Sequence, residues 1–98
     1  MNARERRLAA AALRARLSEA QNHRCCYCGR VMHEDPSRED GVSLEHLQAR
    51  ADGGLTTYEN CVAACRACNR TRGRKNPRRF YSGLQRGYWS PQTQQVAA

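Results

Sequence analysis

The sequence predicts a small α+β domain stabilised by a structural zinc ion, and three observations lead to this fold class. The chain has 98 residues, of which 27% are charged, and its aromatic residues are one Phe, one Trp and four Tyr. A core with so few large apolar residues is thin for one domain. Two C-x-x-C pairs supply four thiols that can hold a fold together in place of a larger core.

Residues 3–21 are predicted to form the first helix. The segment is rich in alanine, lacks glycine and proline, and repeats its apolar residues at helical spacing. Two interpretations of its basic face stay open: the helix covers the zinc region, or Arg4, Arg7 and Arg14 also contact a phosphate backbone. Residues 1–22 are therefore treated as an N-terminal basic helix that flanks the core.

The middle of the chain is predicted to hold a metal knuckle and short strands. Residues 24–30, RCCYCGR, have the C-x-x-C spacing of a knuckle, with Gly29 available for the turn after the second ligand. Arg30–His33 and Val42–Leu47 are short apolar segments separated by a loop that contains proline and glycine. We predict a strand in each of these two segments.

Two further helices are expected after the second cysteine pair. One runs from about Cys65 to Arg72 and ends at Gly73, because glycine is the preferred residue just past a helix. The pair Asn76-Pro77 predicts the start of another helix, which continues to about Gln85. Residues 76–98 are thus a C-terminal helix followed by a polar tail.

The C-terminal tail from Ser90 is polar and uncharged, and its last residues are expected to fray. Tyr81, Tyr88 and Trp89 precede it. Aromatic residues in this position can stack on unpaired bases, but they more commonly pack a terminal segment against its domain. We favour packing for these three residues.

The cysteines fall into two tight clusters, which favours a metal site over disulfides. Four thiolates complete a tetrahedral zinc site and leave no open position, as is typical of structural sites. Cys26 could compete as a ligand through a C-x-C spacing, and His23 lies just before the first knuckle, but the two x-x pairs fit better. The predicted zinc ligands are Cys25, Cys28, Cys65 and Cys68.

The basic charge is concentrated in the C-terminal part of the chain. The formal net charge is +8, and residues 60–98 contain eight Lys or Arg and no Asp or Glu. This asymmetry predicts a polyanionic partner, and nucleic acid is favoured over a membrane because no large apolar anchor accompanies the charge. The N-terminus lacks the apolar stretch of a signal peptide, so a cytoplasmic protein with reduced thiols is expected.

Three stretches between residues 24 and 75 carry a resemblance to a known family. They read RCCYCGR, LEHLQARADGG and YENCVAACRACNRTRGRK. In order and spacing they resemble the HNH endonucleases, whose ββα-metal fold carries the active site on a hairpin and the helix that follows. The resemblance implies a nuclease core over residues 23–75.

The resemblance also implies roles for four residues. His46 takes the position of the general base, and an imidazole is well suited to that work near neutral pH. Glu45 and Asn69 match ligands of a catalytic divalent cation, for which Mg²⁺ or Mn²⁺ suits the hard oxygen donors. Asn60 matches the residue that braces the loop and so orients the histidine. The chain would therefore be an H-N-N variant of the family.

Basic residues follow Asn69, the last residue of the H-N-N pattern, and are predicted to contact phosphates near the bond that is cleaved. A solvated helix surface is the alternative interpretation. The chain departs from the common family pattern at Ala49, at Asp52 and at Glu45, where Asp is more frequent, but none of these changes removes a group that the chemistry needs. The predicted phosphate contacts are Arg70, Arg72, Arg74 and Lys75.

The predicted function is a metal-dependent HNH endonuclease that nicks or cuts DNA, with RNA left open as a substrate. The resemblance implies 5′-phosphate and 3′-hydroxyl products. A non-catalytic zinc module that only binds nucleic acid is the alternative, as is an accessory of a phage-packaging or restriction machine. A cut in both strands would require a homodimer or two visits to the duplex.

Overall fold

The structure, a computed structural model, describes residues 1–82. Its elements are a long first helix, a two-stranded antiparallel hairpin and two short helices, and the predicted small α+β class is confirmed. None of the helices in the described part of the chain is both long and apolar enough to cross a membrane. The elements are α1 Ala3–Ala20, β1 Val42–His46, β2 Cys61–Cys65, α2 Arg66–Arg72 and α3 Pro77–Ser82.

Helix α1 forms where the sequence predicts it. Asn2 caps its start in a capping box with Glu5, since each side chain accepts a hydrogen bond from the backbone N–H of the other. The helix packs on the hairpin through Leu17, which is buried, and Leu13, which is partly buried. Burying apolar side chains in this way stabilises the helix more than its intrinsic propensity does.

The hairpin pairs β1 with β2 over five residues, from Val42 opposite Cys65 to His46 opposite Cys61. All residues of β2 are buried. The free edge of β2 is covered, because Ala63 O accepts hydrogen bonds from Gln21 Nε2 at 2.9 Å and from the Cys26 backbone N–H at 3.1 Å. Covering an edge strand in this way prevents it from pairing with another chain.

The strand predicted at Arg30–His33 is wrong. The segment makes only two isolated bridges, Arg24 with Val31 and His33 with Gly41. Its backbone bonds go to different neighbours: Met32 N–H donates to His23 O at 2.6 Å, and His33 N–H donates to Asp40 O at 2.9 Å. Because no single partner strand continues alongside, no ladder forms. The partner of β1 is instead β2, whose residues were assigned to no strand in the sequence analysis.

The helices after the hairpin agree with their predicted boundaries within the described residues. Helix α2 starts one residue after Cys65, whose sulfur accepts from the backbone N–H of Cys68, and ends at Gly73 with a φ of 55°. That left-handed φ favours glycine. Helix α3 begins at Pro77 as expected. Several predictions lie outside the described residues: the end of this helix near Gln85, the polar tail, and the packing of Tyr88 and Trp89. The side chain of Tyr81 is not described either.

Candidate active site and metal centre

Four cysteine sulfur atoms meet where the first knuckle faces the start of α2. They lie within 4.8 Å of one another, and the sulfurs of Cys28 and Cys65 are 3.9 Å apart. A tetrahedral ion with Zn–S distances of about 2.3 Å places its sulfurs roughly 3.8 Å apart, so the spacing fits. The residues that could hold a metal ion such as zinc are Cys25, Cys28, Cys65 and Cys68. The buried Cys26 and Cys61 lie outside this cluster.

Backbone amides point at two of these sulfurs. The N–H of Tyr27 donates to Cys25 Sγ, and the N–H of Cys68 donates to Cys65 Sγ, both at 3.4 Å. Hydrogen bonds from the thiols of Cys26, Cys65 and Cys68 hold the pKa of Cys25 well below its usual range, and the same contacts with Cys25 raise the pKa of Cys65 and Cys68. A metal ligand must be a thiolate, and donors of this kind stabilise that form.

Glu45 is the second-last residue of β1, close to the loop that joins the strands, and only 1% of its side-chain surface is exposed. Its Oε2 accepts hydrogen bonds from the hydroxyl of Tyr27 at 3.0 Å and from Nε of Arg72. Burial raises the pKa of this carboxyl group, and the hydrogen bond and charge of Arg72 oppose that effect. A buried carboxylate held this firmly by two donors has a fixed orientation.

His46 is the last residue of β1 and is half-buried. Its Nε2 lies 2.9 Å from the hydroxyl oxygen of Thr56 across the loop that joins the strands. Burial lowers the pKa of the imidazole, and the nearby positive charges of Arg50 and Arg72 lower it further. The ring is therefore neutral at neutral pH, which is the form that accepts a proton.

Asn60 braces the loop between the two strands. Its Oδ1 accepts from the backbone N–H of Gln48 at 2.9 Å, and its Nδ2 donates to the carbonyls of Gln48 at 3.1 Å and Leu55 at 2.8 Å. The loop turns back tightly, since a Cβ on Gly54 would lie 1.9 Å from Gln48 O. One amide thus ties together both sides of the loop that starts at His46.

Asn69 lies on α2, one residue after the cluster ligand Cys68. Its Nδ2 donates to Ser43 Oγ at 3.0 Å and to the Leu44 carbonyl at 3.1 Å. No group within residues 1–82 donates a hydrogen bond to its Oδ1, so this oxygen remains available as an acceptor. The side chain is fixed at one end by β1 and at the other by its helix.

A single cleft brings the four predicted site residues together. It has a volume of about 870 Å³ and lies between β1, the loop after it and the C-terminal end of α2. Glu45, His46, Asn60 and Asn69 all line it. The hairpin end supplies the first three, and α2 supplies the fourth. An imidazole, a nearly buried carboxylate and two amides therefore line the same cleft.

The predicted phosphate contacts divide into two groups. Arg74 and Lys75 line the cleft, as does Arg72, which is bound to Glu45. Arg70 is not among the lining residues and forms a bidentate ion pair with Glu39 at 2.8 and 2.7 Å. The structure therefore brings three of the four basic residues to the cleft and places Arg70 in a separate surface pair.

Tyr27 is the site residue that sequence reasoning missed. It lies between two cluster cysteines, and its ring packs edge-on to Phe80 with centroids 4.9 Å apart. Its hydroxyl reaches Glu45, which is 18 positions away in the chain. A buried tyrosine requires a partner for its hydroxyl, and that requirement is the only signal in the sequence. Arg72 was predicted to contact phosphate, and its bond to Glu45 was likewise not anticipated.

A hairpin and helix that carry a histidine, a carboxylate and amides in front of a four-thiol cluster define a small nuclease domain of the ββα class. Residues 25–75, about half of the chain, match the model of the HNH endonuclease family. The protein belongs to the HNH endonuclease family. It is also 38% identical over 56 residues to the CRISPR-associated endonuclease Cas9 of Corynebacterium diphtheriae. That stretch is 56% of this chain and 5% of the Cas9 protein.

Proposed function

We propose that this protein is a metal-dependent endonuclease that hydrolyses phosphodiester bonds in DNA. The observation that carries the proposal is the convergence of Glu45, His46, Asn60 and Asn69 on one cleft. Membership of a nuclease family supports a nucleic-acid substrate, as does the similarity to the endonuclease Cas9. The net charge of +8 suits such a substrate.

His46 is the proposed general base. Its neutral imidazole removes a proton from water, and the water oxygen forms a bond to phosphorus while the bond to the 3′ oxygen breaks. The departing 3′ oxygen takes a proton from solvent, and the products are a 5′ phosphate and a 3′ hydroxyl. The contact with Thr56 and the loop held by Asn60 keep the ring in position during this step. Asn60 acts through the loop and is a positioning residue.

Glu45 and Asn69 are the proposed ligands of a divalent cation such as Mg²⁺ or Mn²⁺. The donor set fits, because each residue offers a hard oxygen. Within residues 1–82 neither Glu45 Oε1 nor Asn69 Oδ1 receives a hydrogen bond, and both residues line the cleft. When bound, the cation supplies positive charge that stabilises the transition state and the departing oxygen. The cysteine cluster is proposed to bind a structural zinc ion.

The test is cleavage of supercoiled plasmid by zinc-loaded protein with Mg²⁺, with Mn²⁺ or without added divalent cation. We expect cation-dependent nicking by the wild type and a loss of at least a hundredfold in rate in His46→Ala. His33→Ala is the matched control, because His33 is an exposed histidine that lines a different cleft. Zinc content and thermal unfolding establish that each variant is folded.

A binding-only module is the other function that the charge supports. In that case the wild type retards DNA in a gel but leaves it intact under every cation, and His46→Ala has no consequence beyond a small change in affinity. Intact plasmid with folded, zinc-loaded protein would overturn the nuclease proposal for this chain. Cleavage that persists in His46→Ala would overturn the assignment of the base alone.

A further inference from the structure

A second cleft lies on the other side of His46, beneath the N-terminal half of α1. It has a volume of about 580 Å³. Its lining includes Arg6 and Arg7 from the helix, His46 from β1, and Arg50 and Thr56 from the loop between the strands. The family match starts at residue 25, so α1 contributes to this cleft from outside the matched region.

The charge of this second cleft is entirely positive. Arg6, Arg7 and Arg50 line it, and no Asp or Glu does. Within residues 1–82 neither Arg7 nor Arg50 forms an ion pair, whereas Arg6 Nη1 donates to the carbonyl of Met1 at 2.8 Å. The first cleft differs, because Glu45, Asp52 and Glu59 line it together with its basic residues. Unpaired arginine side chains in a concave surface favour a bound anion.

The two clefts are adjacent at the proposed base. Leu44, His46 and Arg50 line both of them. A polymer with a phosphate held beside His46 extends in both directions, one of which leads toward Arg74 and Lys75 and the other toward α1. The apolar floor of the second cleft, which includes Leu13 and Ala10, suits sugar rings between the phosphate contacts.

We propose that Arg7 and Arg50 bind backbone phosphates of the nucleic-acid strand on the α1 side of His46. The inference rests on the proposed function, since it takes the scissile phosphate to lie at His46. It also separates the arginines of α1 by location. Arg7 lies in the second cleft, Arg14 lines a different cleft with His33, and Arg4 is not among the lining residues of either. Phosphate contacts of this kind position the substrate and read no sequence.

The experiment compares Arg7→Gln and Arg4→Gln, two substitutions that remove the same charge from the same helix three positions apart. Affinity for a fluorescent 20-base-pair DNA duplex is measured without divalent cation as a function of salt. We expect Arg7→Gln and Arg50→Gln each to weaken binding about fivefold to tenfold and to lower the slope of log affinity against log salt by about 0.9. Arg4→Gln should change affinity less than twofold.

Cleavage kinetics separate this inference from the proposed function. If the wild type cleaves, Arg7→Gln should raise KM with little change in kcat, because it removes binding and leaves the reacting groups intact. Equal effects of Arg7→Gln and Arg4→Gln on affinity would overturn the inference while leaving the nuclease proposal standing. If no cleavage occurs, the binding comparison still decides whether Arg7 contacts the duplex. Arg7 gives the cleaner result, since Arg50 also lowers the pKa of His46.

Discussion

The two ends of the hairpin are built in different ways. At the cluster end, where Val42 pairs with Cys65, Cys65 is fully buried beside the other cluster sulfurs, and α2 starts at the next residue. At the loop end, where His46 pairs with Cys61, His46 is half-buried, and the loop that follows it is largely exposed from Gln48 onward. Four cysteines that could hold a metal ion lie at the cluster end, whereas hydrogen bonds to and from the side-chain amide of Asn60 hold the loop end.

This contrast separates stability from chemistry. Binding of the proposed zinc ion would be coupled to folding, so the cluster end would supply free energy that the thin core lacks. The loop end carries the groups proposed to act on substrate. Two residues connect the ends, because Tyr27 lies between the cluster residues Cys25 and Cys28 and reaches Glu45, and Asn69 directly follows Cys68. The position of the proposed catalytic groups therefore depends on the cluster without their sharing its ligands.

Zinc removal should have the largest effect. Binding of structural zinc contributes about 10 to 16 kcal/mol in small zinc domains, which exceeds the stability expected of this core. We expect the metal-free protein and the Cys65→Ser variant to lose cooperative thermal unfolding, as followed by circular dichroism alongside zinc analysis. Omission of Mg²⁺ should instead leave the unfolding transition in place. An unchanged transition after confirmed zinc loss would contradict the assignment of the cluster.

Asn60→Ala should destabilise only the loop end of the hairpin. The variant loses the three hydrogen bonds that the side chain makes to Gln48 and Leu55, at a cost of about 1 to 3 kcal/mol. Hydrogen exchange at the Gln48 amide should accelerate, because its acceptor is gone. The amide of Cys26, next to the cluster residue Cys25, donates to Ala63 O in the middle of β2 and is the internal control, which should keep its protection. Equal acceleration at both amides would mean that the two ends are not independent.

Tyr27→Phe tests one of the connections between the ends. The substitution removes the donor to Glu45 and preserves the ring that packs on Phe80. We expect zinc content to be unchanged and affinity for Mn²⁺, measured by calorimetry, to fall about tenfold, as is typical when a partner of a metal ligand is removed. Tyr58→Phe is the matched control, since Tyr58 contacts Arg16 on the surface. Unaltered Mn²⁺ affinity in Tyr27→Phe would show that Tyr27 does not position Glu45.

The smallest effect should come from the ion pair between Arg70 and Glu39. Both side chains are 62% exposed, so solvent screens their attraction despite the bidentate geometry. Glu39→Gln should leave the unfolding midpoint within experimental error. A fall of several degrees in the unfolding midpoint would indicate that this surface pair stabilises the cluster end.

The elements with local signals were predictable from the sequence, whereas those that depend on distant contacts were not. Helix α1 and the boundary of α2 at Gly73 follow from composition and glycine placement. The strand β2 was missed because a short, fully buried apolar run has no alternation to reveal it. It became visible only through its pairing with β1.

The same distinction applies to the candidate site. The four cysteines could be grouped from the sequence because the C-x-x-C spacing occurs twice. The H-N-N residues were assigned through the resemblance to a known family, and their roles stay predictions. The bonds from Tyr27 and Arg72 to Glu45 join residues 18 and 27 positions apart. The separation of Arg7 from Arg4 likewise depends on where α1 lies against the hairpin. No local pattern encodes such contacts, since they arise from packing of the whole domain.

The cluster also makes the core portable. The segment from Cys25 to Cys68 has its two ends close together, because the sulfur atoms of Cys25 and Cys68 belong to the same cluster and lie within 4.8 Å of one another. A unit whose ends meet can be inserted into a loop of another protein without forcing that loop apart, and it brings its own source of folding free energy with it. A stretch of similar sequence accounts for 5% of the Cas9 protein of Corynebacterium diphtheriae, as expected of a cassette that larger proteins can acquire whole.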